Sequence, residues 1–332
     1  MINFIKITDV DNLKKIASEA ILLKENPCKN QQLGKNKTLG LLFFNPSLRT
    51  RLSTQKAALN LGMHVIVMNF NNEGWSLEFE DGTVMNGSKS EHIKEAAQVV
   101  SQYCDVLAVR AFAQLKDKEE DAQDKVINGF LKYATIPLIN MESATGHPLQ
   151  ALADAITIEE FKTKSKPKVV FTWAPHTKAL PHAVANSFIE MMQMQEAEFV
   201  ITHPKGYELD TAITQNATIE YNQNKAFKNA DFIYAKNWSA FNNYGKVLKT
   251  DADWQITQEK MNLTNQAKFM HCLPVRRNVV VADAVLDSKA SLVIQQAHNR
   301  TFAAQIVLKK ILENIPKSSY LPDLGGSGVE GK

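Results

Sequence analysis

The chain has 332 residues, 44% of them hydrophobic and 22% charged, and a formal net charge of only +3. That length and apolar content support two domains of ordinary size, each with its own core. So mild a charge balance argues against an extended nucleic-acid surface or a polybasic membrane patch, and leaves room for a local site that binds a small anion.

In chain order, short apolar runs alternate with helical patterns. The runs at 37–44, 64–70, 105–112 and 136–142 read as buried strands, with helices expected over 47–61 and 91–103. A helix over 148–163, with Pro148 in its first turn, links this series to a second one. In the second series 167–174, 198–204, 230–238, 267–274 and 290–297 read as strands, and 181–195 and 209–228 as helices. A long final helix is expected at 299–315, and beyond Pro316 the chain turns polar and glycine-rich. The alternation predicts an α/β protein of two domains, each with a parallel sheet flanked by helices, the two linked by helices. Cys28, Cys104 and Cys272 are an odd number without metal-type spacing, which fits a reducing compartment rather than a disulfide framework. The N-terminal stretch lacks a secretory pattern, and no run approaches the roughly 20 apolar residues that span a bilayer. A cytoplasmic protein with neither membrane nor nucleic-acid partner is expected.

Ligands of open α/β sheets gather at the carboxyl ends of the strands, and nearly every strand exit here carries a polar or ionisable group. The densest is "FFNPSLRTRLS", Phe43 to Ser53. Asn45-Pro46 ends the strand, and Ser47 then stands at the N-cap or first turn of a helix whose apolar face would include Leu48, Leu52 and Leu59. A helix N-terminus offers free N–H groups and a positive dipole end, which together bind phosphate. Arg49 and Arg51 in that first turn oppose the dipole unless an anion or a buried carboxylate neutralises them; the alternative is a solvated basic face with an ordinary serine cap. No Gly-x-Gly-x-x-Gly follows a strand, which argues against a dinucleotide-dependent dehydrogenase.

Three motifs carry a resemblance. Ser47-Leu-Arg-Thr-Arg51 resembles the S-x-R-T-R of the aspartate/ornithine carbamoyltransferase family, His147-Pro-Leu-Gln150 is similar to its H-P-x-Q, and His271-Cys-Leu-Pro274 to the H-C-L-P of the ornithine branch. They stand in family order across almost the whole chain. The resemblance implies a carbamoyl-phosphate domain over 1–150, completed by the helix at 299–316, a domain for the amine substrate over 151–298, and a tail at 317–332. It also implies a homotrimer with active sites shared between subunits, and no metal or organic cofactor. Ser47, Leu48, Arg49 and Thr50 would hold the phosphate. Arg110, His147 and Gln150 would hold the carbamoyl carbonyl and amide. Cys272, Leu273 and Arg300 would join that site. Catalysis would rest on Arg110, His147 and Thr50, which would stabilise charge on the carbonyl oxygen, with Cys272 placing backbone and sulfur near the amine rather than acting as nucleophile. A catalytically silent carbamoyl-phosphate-binding protein is the competing class, and the presence of Arg49, Arg110 and His147 speaks against it.

The ornithine branch grips a free amino acid head with D-x-W-x-S-M-G, whereas this chain has Tyr234-Ala-Lys-Asn-Trp-Ser-Ala240. Lys236 would repel an α-ammonium and bind a carboxylate or acyl oxygen instead. With "VRRN" (275–278), "FTWAPH" (171–176) and "NNEGWSLE" (71–78), the chain looks like the N-acylornithine carbamoyltransferases of arginine biosynthesis. By that likeness Trp75 would reach a neighbouring subunit's phosphate site, and Glu142, His176, Lys236 and Arg276 would contact the acylornithine, together with Ser90 and Phe112. The stretch Pro175 to Pro181 matches an excursion that implies a knotted chain path in the second domain. Where acetyl enzymes carry a glutamate, Ser90 is neutral and would admit a succinyl carboxylate. N-succinylornithine is the expected acceptor, with N-acetylornithine as the alternative.

Overall fold

The computed structural model describes residues 1–248 and 252–315, so the expected tail at 317–332 lies outside the described residues. Two parallel sheets organise them. In the first, the strands run in the order His64–Asn69, Thr38–Phe43, Val106–Arg110, Leu138–Glu142. In the second, the order is Lys268–Met270, Phe232–Lys236, Lys168–Trp173, Glu198–Thr202, Thr218–Glu220. Their central strands are buried almost throughout, as continuous apolar runs covered by helices must be. No helix among the described residues is long and apolar enough to cross a membrane.

In each sheet the chain reverses its direction of growth at one point, between Thr38–Phe43 and Val106–Arg110 in the first and between Lys168–Trp173 and Phe232–Lys236 in the second. Such reversals open a crevice at the strands' carboxyl ends. The Pro148–Phe161 helix links the two sheets and is buried along most of its length, with Pro148 in its first turn.

Three expectations fail in instructive ways. The stretch 290–297 is not a strand; only an isolated bridge pairs Ser291 with Phe269, and the final helix starts at Val293, six residues earlier than expected, and runs to Leu312. Val293, Gln296, Arg300, Val307 and Ile311 form one buried face at helical spacing, and that long face overrides the β-branched start. The expected 209–228 helix is two short helices, Thr211–Thr214 and Gln223–Phe227, separated by the edge strand Thr218–Glu220. Asp210 and Asn222 each cap a new helix start through the side chain. The third concerns the Arg49–Asn60 helix. Its buried face is Thr50, Ser53, Thr54, Ala57, Ala58 and Asn60, while Leu48, Leu52 and Leu59 are exposed. Small residues let this helix pack closely on the final helix, and Asn60 Nδ2 donates to Gln305 Oε1 at 2.8 Å.

Candidate active site

Both crevices open on one cavity of about 530 Å³. From the first sheet come Ser47, Leu48, Arg49, Thr50, Arg110, Phe112 and Glu142, and the Pro148–Phe161 helix adds His147 and Gln150 at its start. From the second sheet come His176, Lys236, Cys272, Leu273 and Arg276, and Arg300 reaches in from the final helix. Ser47 does not cap the helix: it precedes Leu48, the N-cap residue, and no side chain bonds the free N–H groups. Those groups are left for a ligand. Arg51 turns away, toward Asn69 Oδ1 at 3.4 Å and the Phe43 ring, whereas Arg49 lines the cavity.

Arg110 is held by a local irregularity. The register between its strand and the next shifts after Val109, so that Arg110 stands opposite Glu142. Its Nε donates to Glu142 Oε2 at 3.2 Å, Nη2 stands 3.0 Å from the same oxygen as an ion pair, and Nη1 donates to the carbonyls of Asn45 and Pro46 at 3.2 and 2.8 Å. A guanidinium has five N–H donors, so these hydrogen bonds leave the Nη2 group, beside Glu142, for a ligand. The Phe112 ring centroid lies 4.1 Å from the Arg110 guanidinium carbon. The Glu142 carboxylate also stands 3.5 Å from His147 Nε2. It thus contacts both Arg110 and His147 on the cavity wall.

Burial sets the charge states. It raises the Glu142 carboxyl against the opposing pull of Arg110, Arg300 and Lys236. Burial also drives His147 well below its ordinary range, helped by Arg300, Arg110 and Lys236, so the ring is neutral at neutral pH. Its Nδ1 is buried without a hydrogen-bond partner, and the residue lines the cavity. The Thr50 hydroxyl accepts from Arg300 Nη2 at 2.5 Å, which frees its own proton to donate. Burial lowers Lys236 and raises the Cys272 thiol, so Cys272 is not the thiolate that nucleophilic attack would require. Arg276 Nε donates to His176 Nε2 at 3.1 Å at the cavity rim. Among the described residues no carboxylate lies within ion-pair distance of Arg49, Lys236, Arg276 or Arg300, so the cavity holds an excess of positive charge.

Two expected site residues are not brought here. Trp75 is exposed, its Nε1 donating to Glu91 Oε2 at 2.8 Å, and Ser90 is exposed on the paired segment, its N–H bonded to the Ser76 carbonyl. Neither lines the cavity of its own chain. Sequence reasoning missed Asp154 and Gln296, which sit directly behind Gln150. The Gln150–Asp154 spacing of one helical turn was a usable signal; Gln296 was hidden by the strand reading of 290–297.

Residues 3–160 match the family model described as aspartate/ornithine carbamoyltransferase, carbamoyl-P binding domain, and residues 180–311 match the Asp/Orn binding domain of that family. Over 318 residues the chain is 52% identical to N-succinylornithine carbamoyltransferase of Bacteroides fragilis (strain 638R), covering 95% of this chain and 100% of the relative. It is 37% identical over 317 residues to N-acetylornithine carbamoyltransferase of Xanthomonas axonopodis pv. citri (strain 306), covering 89% and 92%. The fold matches, with a TM-score of 0.87 and 35% identity over 94% of this chain and 100% of the other, the crystal structure of a glutamate-to-serine mutant of N-acetyl-L-ornithine transcarbamylase complexed with carbamyl phosphate and N-succinyl-L-norvaline.

Proposed function

The chain belongs to the aspartate/ornithine carbamoyltransferase family, and from that membership we propose that it transfers the carbamoyl group of carbamoyl phosphate to the side-chain amine of N2-succinyl-L-ornithine, giving N-succinyl-L-citrulline and phosphate. The observation that carries the choice of acceptor is the charge of the cavity. Arg49, Arg110, Lys236, Arg276 and Arg300 face a single carboxylate, Glu142. A phosphate group brings close to two negative charges, and a succinylated ornithine brings two carboxylates where an acetylated one brings one. The doubly charged acceptor matches the excess better. The neutral Ser90 is in keeping with this, as is the serine in the relative complexed with N-succinyl-L-norvaline.

The roles follow from the donors left open. The phosphate sits at the uncapped start of the Arg49–Asn60 helix, with Ser47, Leu48, Arg49 and Thr50 around it. The Arg110 Nη2 group, the Thr50 hydroxyl and the His147 ring surround the carbamoyl carbonyl, whose oxygen gains negative charge as the amine attacks. The new C–N bond forms, the C–O bond to phosphate breaks, and the departing phosphate takes the proton that the amine sheds. The positive surroundings disfavour the ammonium form of the acceptor, so the amine arrives ready to attack. Lys236, His176 and Arg276 hold the acceptor's carboxylates and acyl oxygen, and Cys272 and Leu273 form the wall between the two ligands. We also assign Trp75 and Ser90 to a neighbouring subunit's site in a homotrimer, since both are exposed on their own chain.

The test supplies purified protein with carbamoyl phosphate and, separately, N-succinylornithine, N-acetylornithine and ornithine, and measures phosphate release and ureido product. N-succinylornithine is expected to turn over fastest. Faster turnover of ornithine would sink the acyl reading, faster turnover of N-acetylornithine would reassign the acyl group, and binding of carbamoyl phosphate without turnover of any amine would favour a silent binding protein.

A further inference from the structure

Asp154 lies one helical turn beyond Gln150, is wholly buried, and has no part in the scheme above. Its Oδ1 accepts from Gln150 Nε2 and from Gln296 Nε2, both at 2.7 Å. Gln296 Oε1 in turn accepts the His271 backbone N–H at 2.9 Å. Gln150 Oε1 accepts from the Arg300 guanidinium, which also donates to Thr50. One carboxylate therefore joins the helix that carries His147-Pro-Leu-Gln150, the final helix, and the strand exit that carries His271-Cys-Leu-Pro274.

A side-chain amide can present either its oxygen or its nitrogen to a cavity, and the network around it decides which. A carboxylate oxygen only accepts, so Asp154 draws the Gln150 nitrogen inward and turns the Gln150 oxygen toward Arg300 and the cavity. That oxygen has two lone pairs and Arg300 fills one. Burial raises the Asp154 carboxyl to about 7. The buried Tyr234 hydroxyl stands beside the carboxyl, while Oδ2 is not engaged by either glutamine, so a proton taken up on Oδ2 leaves Oδ1 accepting from both.

We propose that Asp154 is a positioning residue: it locks the Gln150 amide with its oxygen toward the cavity, where that oxygen accepts a hydrogen bond from the amino group of carbamoyl phosphate, and so lets the site distinguish a carbamoyl from an acetyl group. The proposal rests on the reading that Gln150 faces the carbamoyl amide. An amide locked the other way would turn N–H donors against that amino group, and a site built to bond a donor rejects an analogue that lacks it.

Acetyl phosphate, which carries a methyl in place of the amino group, is the probe. The test compares the KM of carbamoyl phosphate with the Ki of acetyl phosphate, a ratio independent of how much of a variant is folded. In Asp154→Leu the preference for carbamoyl phosphate is expected to fall by about tenfold or more, with acetyl phosphate affinity changed by less than about threefold. Asp154→Asn keeps an oxygen that accepts from both glutamines and is expected to retain the preference within about threefold. Equal weakening of both phosphates in Asp154→Leu would make the residue merely structural and overturn the proposal, as would an unchanged preference there or a lost preference in Asp154→Asn. If Asp154→Leu fails to fold, Asp154→Ser, too short to reach both glutamines, takes its place with the same expectations. Gln150→Leu separates the two layers: an unchanged preference there refutes the placement of Gln150, whereas a lost preference there with an intact one in Asp154→Leu refutes only the role of Asp154.

Discussion

His271 lies on the cavity wall with its ring buried, and burial, followed by the charges of Lys236, His176 and Arg49, lowers its pKa from 6.5 to about 3. Its Nδ1 accepts the Leu273 N–H at 3.0 Å, so the neutral ring carries its proton on Nε2. In the unfolded chain the imidazole gains a second proton near pH 6.5. The unfolded state therefore binds more protons between about pH 6.5 and 3, and the contribution of His271 to stability is lost as pH falls through that window. His147 acts in the same direction. Asp154 and Glu142 oppose them: burial raises both carboxyls, so the folded state binds the extra proton and their contribution is lost as pH rises through the folded pKa. His271→Asn keeps an acceptor for Leu273 and removes one of the opposing titrations. Urea unfolding at pH 6.5 and pH 4.5 is expected to show a smaller loss of stability in the variant, by roughly 1–3 kcal/mol. An equal loss in both proteins would mean that His271 does not set the acid limb.

Two loops meet beside the cavity. Tyr244 donates to Asp121 Oδ2 at 2.9 Å, the Lys118 ammonium lies 3.9 Å from the Phe241 ring centroid, and Gly245 approaches Leu115. Gly245 has φ +72, and a Cβ there would stand 2.1 Å from the Leu115 carbonyl oxygen, so only glycine meets both demands. The 112–121 segment begins at Phe112, which stacks on Arg110, so the contact also braces Arg110 at the cavity wall. Gly245→Ala is expected to part the loops, speed amide exchange in both, and lower stability by roughly 1–3 kcal/mol; unchanged exchange in 112–121 would show that the contact braces nothing. This clasp was not legible in the sequence, because nothing local marks which loop will oppose Gly245. What was legible were the elements whose periodicity stands alone, such as Thr38–Phe43 and Pro148–Phe161, and the motifs at their ends. What was not legible depended on partners far along the chain. The 290–297 run reads as a strand until the buried face of Val293–Leu312 is seen whole. The leucines of Arg49–Asn60 read as a core face until the final helix is found to pack on the alanines and serine instead.

Each sheet supplies half of the cavity, and the chain as a whole still leaves part of its proposed machinery outside. Leu48, Leu52 and Leu59 stand exposed along the helix that begins at the proposed phosphate site, with Ile66 exposed on the adjacent edge strand. A second copy of the chain would bury such a stripe, and it lies next to the site that Trp75 is assigned to complete. In a cyclic trimer each site would then draw Arg49 from one subunit and Trp75 from the next. Trp75→Ala and Arg49→Ala are each expected to be inactive alone while remaining folded, since Trp75 is exposed and Arg49 makes no ion pair among the described residues. In randomly mixed trimers of the two variants, a site is intact when its own subunit keeps Arg49 and its neighbour keeps Trp75, which holds for about a quarter of sites at equal mixing. Co-expression in equal amounts is therefore expected to restore about a quarter of wild-type turnover per site. If both residues served the same chain's site, mixing would restore nothing, because no subunit in the mixture carries both. Recovery thus depends on a site that crosses a subunit boundary, and its size reads out how many residues of the neighbour the reaction requires.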